Sequence, residues 1–163
     1  PYTFYLHCLV GYDKPQHLGG SYLLAQKCPF DWKAIHSSNE SLPGIIGRNE
    51  ILQGSSIFSQ NHCPRSHIRL SRIKDDHGNP VTLHRESKAF TSSTFHPEKV
   101  RNVTDNINPE EGIMFMGYHK NPFILEKMLL NQLGNNAETS YQDGLLNMLR
   151  VDHGNILYTP SIV

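Results

Sequence analysis

The stretch Gly117-Tyr118-His119-Lys120-Asn121-Pro122 restricts most what this chain can fold into. Ahead of it runs Gly112-Ile113-Met114-Phe115-Met116-Gly117-Tyr118, the most apolar segment, whose character predicts a central strand. Behind it, Ile124, Leu125, Met128, Leu129 and Leu133 recur at helical spacing. Asn121 suits the N-cap, because its side chain accepts a terminal N–H, and Pro122 suits the first helical position, which needs no N–H. Gly134 predicts the helix end, where a left-handed residue is wanted. A strand that passes directly into an amphipathic helix asks for a sheet with a helical layer on it.

The other segments supply the rest of that sheet. Gly19-Gly20 punctuates the chain, leaving residues 1–18 as a lead-in segment and 19–163 as one domain. Residues 21–27 read as a strand and 29–35 as a short helix, with Phe30, Trp32 and Ile35 packing inward. Residues 37–62 are rich in Ser, Asn and Gly and read as loop. Residues 65–72 alternate, with Ile68 and Leu70 on one face and His67 and Arg69 on the other, which predicts a strand. Asp75-Asp76-His77-Gly78-Asn79-Pro80 makes a turn, and residues 81–85 return as the second arm of a hairpin. A polar connection over 91–110 precedes the apolar strand. Residues 142–149 predict a second short helix, and 155–159 a last strand stopped by Pro160. Strand, helix, strand, strand, helix, strand is the ferredoxin-like α+β pattern: an antiparallel sheet with helices on one face.

At 163 residues the chain is long enough for one domain with a real core. Lys+Arg and Asp+Glu balance at 15 each, so there is no electrostatic footprint for nucleic acid or an anionic membrane. No apolar run reaches the roughly 18 residues of a spanning helix. Cys8, Cys28 and Cys63 are odd in number and far apart, which is not a disulfide framework. Free thiols point to a reducing compartment, the cytoplasm or an organelle matrix, and not to secretion. The sequons at Asn39 and Asn102 carry little weight without a signal peptide. The opening Pro1-Tyr2-Thr3-Phe4-Tyr5 has no initiator Met and reads as processed or truncated.

The chemistry concentrates around His67 and, eighteen residues on, Arg85. A histidine fixed on a strand can offer a ring nitrogen to a metal from one side, and an arginine on the returning strand can bring positive charge to the opposite face. Several motifs surround the pair in order: Gly19-Gly20-Ser21-Tyr22, Ile46-Gly47-Arg48, Ser66-His67, Asp76-His77-Gly78-Asn79 before Arg85, Ala89-Phe90, Phe115-Met116-Gly117-Tyr118 and Tyr158-Thr159-Pro160-Ser161. This series resembles the C-terminal, haem-binding half of the dye-decolourising peroxidases, type B branch, a two-domain fold.

The resemblance implies haem b (iron protoporphyrin IX) with His67 as the axial metal ligand. Arg85 would stabilise negative charge as the O–O bond of hydrogen peroxide breaks, and would pair with a propionate or bound anion. Ser87 falls where type B members usually carry Asn and would orient peroxide or water. Phe115 would wall the pocket, and Arg48 would meet a propionate. Asn147 aligns with the carboxylate that accepts the axial histidine's other N–H. An electron donor of unknown kind would be oxidised, with Trp32 or Tyr118 as relays. The family's Gly-x-x-Asp-Gly motif, which carries a distal aspartate, falls ahead of residue 1, as does the other ferredoxin-like half. A homo-oligomer or a partner chain is therefore expected to complete the fold. The alternative is a peroxidase-like structural or interaction subunit with little or no catalysis. A rival metal reading, zinc held by His62, Cys63 and His67 with His77 or His84, lacks the short paired spacing of zinc sites.

Overall fold

In the computed structural model, residues 8–12, 14–39, 42–47, 63–91, 110–135 and 140–161 are described. Four strands make one antiparallel sheet: β1 (Ser21–Pro29), β2 (His84–Thr91), β3 (Glu111–His119) and β4 (His153–Thr159). Their spatial order is β2-β3-β1-β4, so the two apolar strands β1 and β3 lie in the centre. This is the ferredoxin-like arrangement expected from the sequence. Val10 is tied to the start of β1 by paired backbone bonds, Val10 N–H to the Gly20 carbonyl and Gly19 N–H to the Val10 carbonyl, at 2.8 and 2.9 Å.

Register decides which side chains share a face, because opposed residues of antiparallel strands project to the same side. Leu24 pairs with Gly117, Gln26 with Phe115 and Cys28 with Ile113, while Arg85 pairs with Gly117 and Ser87 with Phe115. All of these stand on the helix-bearing face. The helix α4 (Pro122–Gln132) crosses it, started by Asn121 Oδ1, which accepts the Phe123 N–H at 3.1 Å, with Pro122 in the first turn. Leu125 and Met128 of α4 close over Leu24 and Ile73 to form a fully buried core, with Phe115 and Leu129 against its flank. Gly134 ends the helix with φ +69°. Leu23, Ala25, Met116 and Leu157 project from the opposite face, where Leu157 is 49% exposed.

Elsewhere the folded chain corrects the sequence reading. Residues 67–70 are not a strand but one turn of helix, α3 (His67–Leu70). Ser66 caps it by accepting the Arg69 N–H on its side-chain oxygen, and the turn buries Leu70, with Ile73 buried three residues on. Burial of that i, i+3 pair outweighs the apparent period of two, which rested on only Ile68 and Leu70. The hairpin across Asp75 also dissolves. Its only sheet-like tie is the isolated pairing of Lys74 with Pro80, and β2 instead joins β3. The turn itself is well made: Asp75 accepts the backbone N–H of His77 and of Asn79, and Gly78 takes φ +81°.

The region 37–62 contains a short helix, α2 (Leu42–Ile46), and the helix expected at 29–35 runs as α1 (Trp32–Ser37) from its cap Asp31. Trp32 is 45% exposed and stacks on His36 instead of entering the core. The helix expected over 142–149 is a 3-10 turn, Gly144–Asn147.

Candidate functional site

The ring of His67 is gripped from two sides. Nδ1–H donates to Asp143 Oδ2 at 2.6 Å, and Nε2 faces Ser71 Oγ at 3.3 Å. Asp143 is fully buried, and its other oxygen accepts the Leu145 N–H at 2.9 Å to cap the 3-10 turn. Backbone bonds fix the turn against the rest of the domain: Asp143 N–H reaches the Gln132 carbonyl at 2.8 Å, and Gly144 N–H the Arg65 carbonyl at 3.0 Å. The carboxylate is thus placed by α4 and by the chain leading into α3, far from where it stands in sequence.

An apolar cleft of about 260 Å³ opens beside the ring. Its floor is the sheet, where Gln26, Phe115 and Ser87 lie abreast and Cys28 and Ile113 form the next row. Leu129, Gln132 and Leu133 of α4 make one wall, and Leu145, Leu146, Leu149 and Val151 make the other. Burial, helped by the charge of Asp152, pushes the Cys28 thiol up to about 11, so this part of the floor stays neutral. A flat apolar ring system that takes one nitrogen ligand would suit such a cleft: most of the lining is hydrocarbon, and one ring nitrogen of His67 already has a carboxylate, leaving the other to offer.

Three of the residues singled out from sequence meet here, for His67, Ser87 and Phe115 all line the cleft. Arg85 stands on the same sheet face but is not part of the lining, and its Nη1–H donates to the Ser71 carbonyl at 3.5 Å. Desolvation, then the like charge of Arg72, lower its affinity for its proton, though a guanidinium remains charged at any working pH. Asn147 does not hold the ring. It is exposed at the end of the 3-10 turn, and Asp143 has the position expected of it. A signal for Asp143 was present, since it is the only acid between residues 140 and 150 and precedes a glycine at a turn start, where aspartate caps. Ser71 and Gln132 carried no such signal. Arg48 and His62 lie outside the described residues. Among the described residues no group of three or more His, Cys, Asp or Glu side chains is placed to hold a metal ion.

The model of the family described as "Dyp-type peroxidase, C-terminal" matches residues 4–163. The chain belongs to the Dyp-type peroxidase family, in its C-terminal region. This Dyp-type domain is 25% identical over 158 residues to a dye-decolorizing peroxidase of Rhodococcus erythropolis, covering 96% of the chain and 42% of the relative. Among solved structures it resembles a variant of Rhodococcus jostii DypB in complex with heme, with TM-score 0.75 and 26% identity over 99% of the chain and 48% of the other. The encapsulated DyP-type peroxidase of Mycobacterium smegmatis shares the fold, at TM-score 0.73 and 23% identity, over 96% of the chain and 46% of that one. The Dyp-type domain therefore spans under half the length of the relatives it matches. None of its described helices is long and apolar enough to cross a membrane.

Proposed function

We propose that this domain is the haem-binding half of a dye-decolourising-type peroxidase, reducing hydrogen peroxide at the expense of an electron donor, with haem b held through His67. The observation that carries this reading is the 2.6 Å bond from His67 Nδ1–H to the buried Asp143 carboxylate, beside an apolar cleft. Bound haem would supply the iron through which electrons pass from donor to peroxide. The chain's own residues do the rest. Asp143 fixes the tautomer and orientation of the ring, leaving the Nε2 lone pair for a metal. Phe115, Leu129 and Leu146 exclude water from the cleft. Ser87 offers a hydroxyl from the sheet floor to orient peroxide or water, and Arg85 brings a permanent positive charge to the same face. Arg48 is the proposed propionate partner.

A second reading has an observation of its own. Arg85 turns toward the Ser71 carbonyl and not into the cleft, so the groups that would act on peroxide are not gathered as the axial side is. A structural or interaction subunit with a vestigial site would look the same. Titrating the protein with hemin while recording absorption, with His67→Ala alongside, separates the two. A sharp Soret band at one haem per chain, lost in the variant, is the expected result. Equal, weak binding by both proteins would sink the peroxidase reading. We further propose a cytoplasmic or organelle-matrix setting and a homo-oligomer or partner chain over the Leu23, Met116 and Leu157 face. A strictly monomeric mass in sedimentation of the haem-loaded protein would count against that assembly.

A further inference from the structure

The hydrogen-bond chain through His67 does not stop at Asp143. On the other side of the ring, Ser71 Oγ lies 3.3 Å from Nε2, and Gln132 Nε2–H donates to the same oxygen at 3.0 Å. Ser71 is 1% exposed and Gln132 8% exposed, so water does not satisfy the hydroxyl in their place. The direction of each bond follows from what the groups can do. An amide nitrogen only donates, so Ser71 Oγ accepts from Gln132, and its own O–H is left to donate. Asp143 accepts from Nδ1–H, so Nε2 carries the lone pair that can receive that O–H. All three contacts therefore agree on a single arrangement of protons.

An acid, an imidazole and a hydroxyl in a row also occur where serine acts as a nucleophile. Ser71 does not suit that role, because it is buried and stands outside the lining of the cleft that His67 faces. What the chain does instead is hold the ring at the very nitrogen a metal would take. We infer that Ser71, aimed by Gln132, is a positioning residue that occupies His67 Nε2 in the cofactor-free protein and yields it when the cofactor binds. This rests on the reading of His67 as the axial ligand. Ser71 follows His67 by four residues, one turn on, so the two are held together by the helix itself. Gln132 keeps the hydroxyl partnered after it is displaced, so the handover leaves no buried oxygen unsatisfied.

The ring nitrogens report this directly. In long-range ¹H–¹⁵N spectra of the cofactor-free protein, wild type should show an Nδ1–H tautomer with an Nε2 resonance shifted by an accepted hydrogen bond. Ser71→Ala should move the Nε2 resonance to that of a bare lone pair and leave Nδ1–H in place. Gln132→Met, which keeps the hydroxyl but removes the group that aims it, should move Nε2 the same way by less, and serves if Ser71→Ala does not fold. An Nε2 resonance unmoved by both changes overturns the inference. In hemin titrations Ser71→Ala should bind about fivefold more tightly, the size of one ordinary hydrogen bond no longer in competition. Unchanged or weaker affinity, with the Nε2 shift lost, overturns the handover. Hemin uptake that ignores His67→Ala defeats the ligand reading instead, a result distinguishable because the nitrogen shifts do not depend on it.

Discussion

His67 and Asp143 are joined Nδ1–H to Oδ2 at 2.6 Å across 76 positions of chain, and the carboxylate is wholly buried. A ligand histidine that loses such a partner typically loses about 10–100-fold in affinity for its metal. Asp143→Ala should weaken hemin binding by that amount in a Soret titration. It should also lower stability by about 1 kcal/mol or more, because the cap on Leu145 is lost as well. Asp143→Asn, whose amide oxygen can still accept, should fall between. Wild-type hemin affinity in the alanine variant would show that the bond has no part in the site.

Acid should loosen two surface features. Asp75 is held below the usual carboxylate range chiefly by the Asn79 backbone N–H, and Asp152 chiefly by its bond from Arg150. A group whose proton affinity is lower folded than unfolded stabilises the fold fully above its unfolded pKa, about 3.9 for Asp. That contribution is lost as pH falls through the folded value. Thermal midpoints should therefore be flat near neutrality and decline below about pH 5. Asp152→Asn should start lower and show a shallower decline; an identical slope would exclude Asp152 as a contributor.

The three thiols should react in order of access. Cys63 is exposed, whereas Cys8 and Cys28 are buried and their thiols are pushed up by burial. Only thiolate attacks, so at pH 8 a disulfide reagent should take one equivalent quickly and the other two only after denaturation. Rapid native labelling of Cys28, mapped by peptide mass, would contradict its burial in the floor of the cleft.

Gly112 permits the approach of β1 to β3 at one end of the sheet. A Cβ placed there would come within 2.3 Å of the Cys28 carbonyl oxygen, a backbone atom that cannot swing aside. Gly112→Ala should cost about 1–3 kcal/mol, read as a drop in the denaturant midpoint. Gly78→Ala meets no atom within 4 Å, so only its φ of +81° is strained, and its effect should be the smaller. The reverse ranking would mean that the sheet shifts to accommodate the methyl.

The central strands and α4 were legible because each announces itself within a few residues, through an apolar run, an Asn-Pro cap and a terminal glycine. α3 was not, because Ile68 and Leu70 alone cannot distinguish a period of two from one helical turn, and the capping role of Ser66 was the only local sign. His67, Ser87 and Phe115 were found from ordered motifs. Asp143 was displaced to Asn147 because the connection is made in space, by the Gln132 and Arg65 carbonyls, and spacing within the turn does not record it. Ser71 and Gln132 are ordinary polar residues in sequence, and only burial and mutual geometry give them meaning.

The order of the chain imposes a timetable on the site. During translation His67 emerges long before Asp143, which must then dock onto α4 before the ring is fixed at Nδ1. On the proposed role of His67, tight loading would therefore wait until nearly the whole domain has left the ribosome. Nascent chains arrested short of residue 143 should show weaker His67-dependent uptake of hemin than those extended past β4.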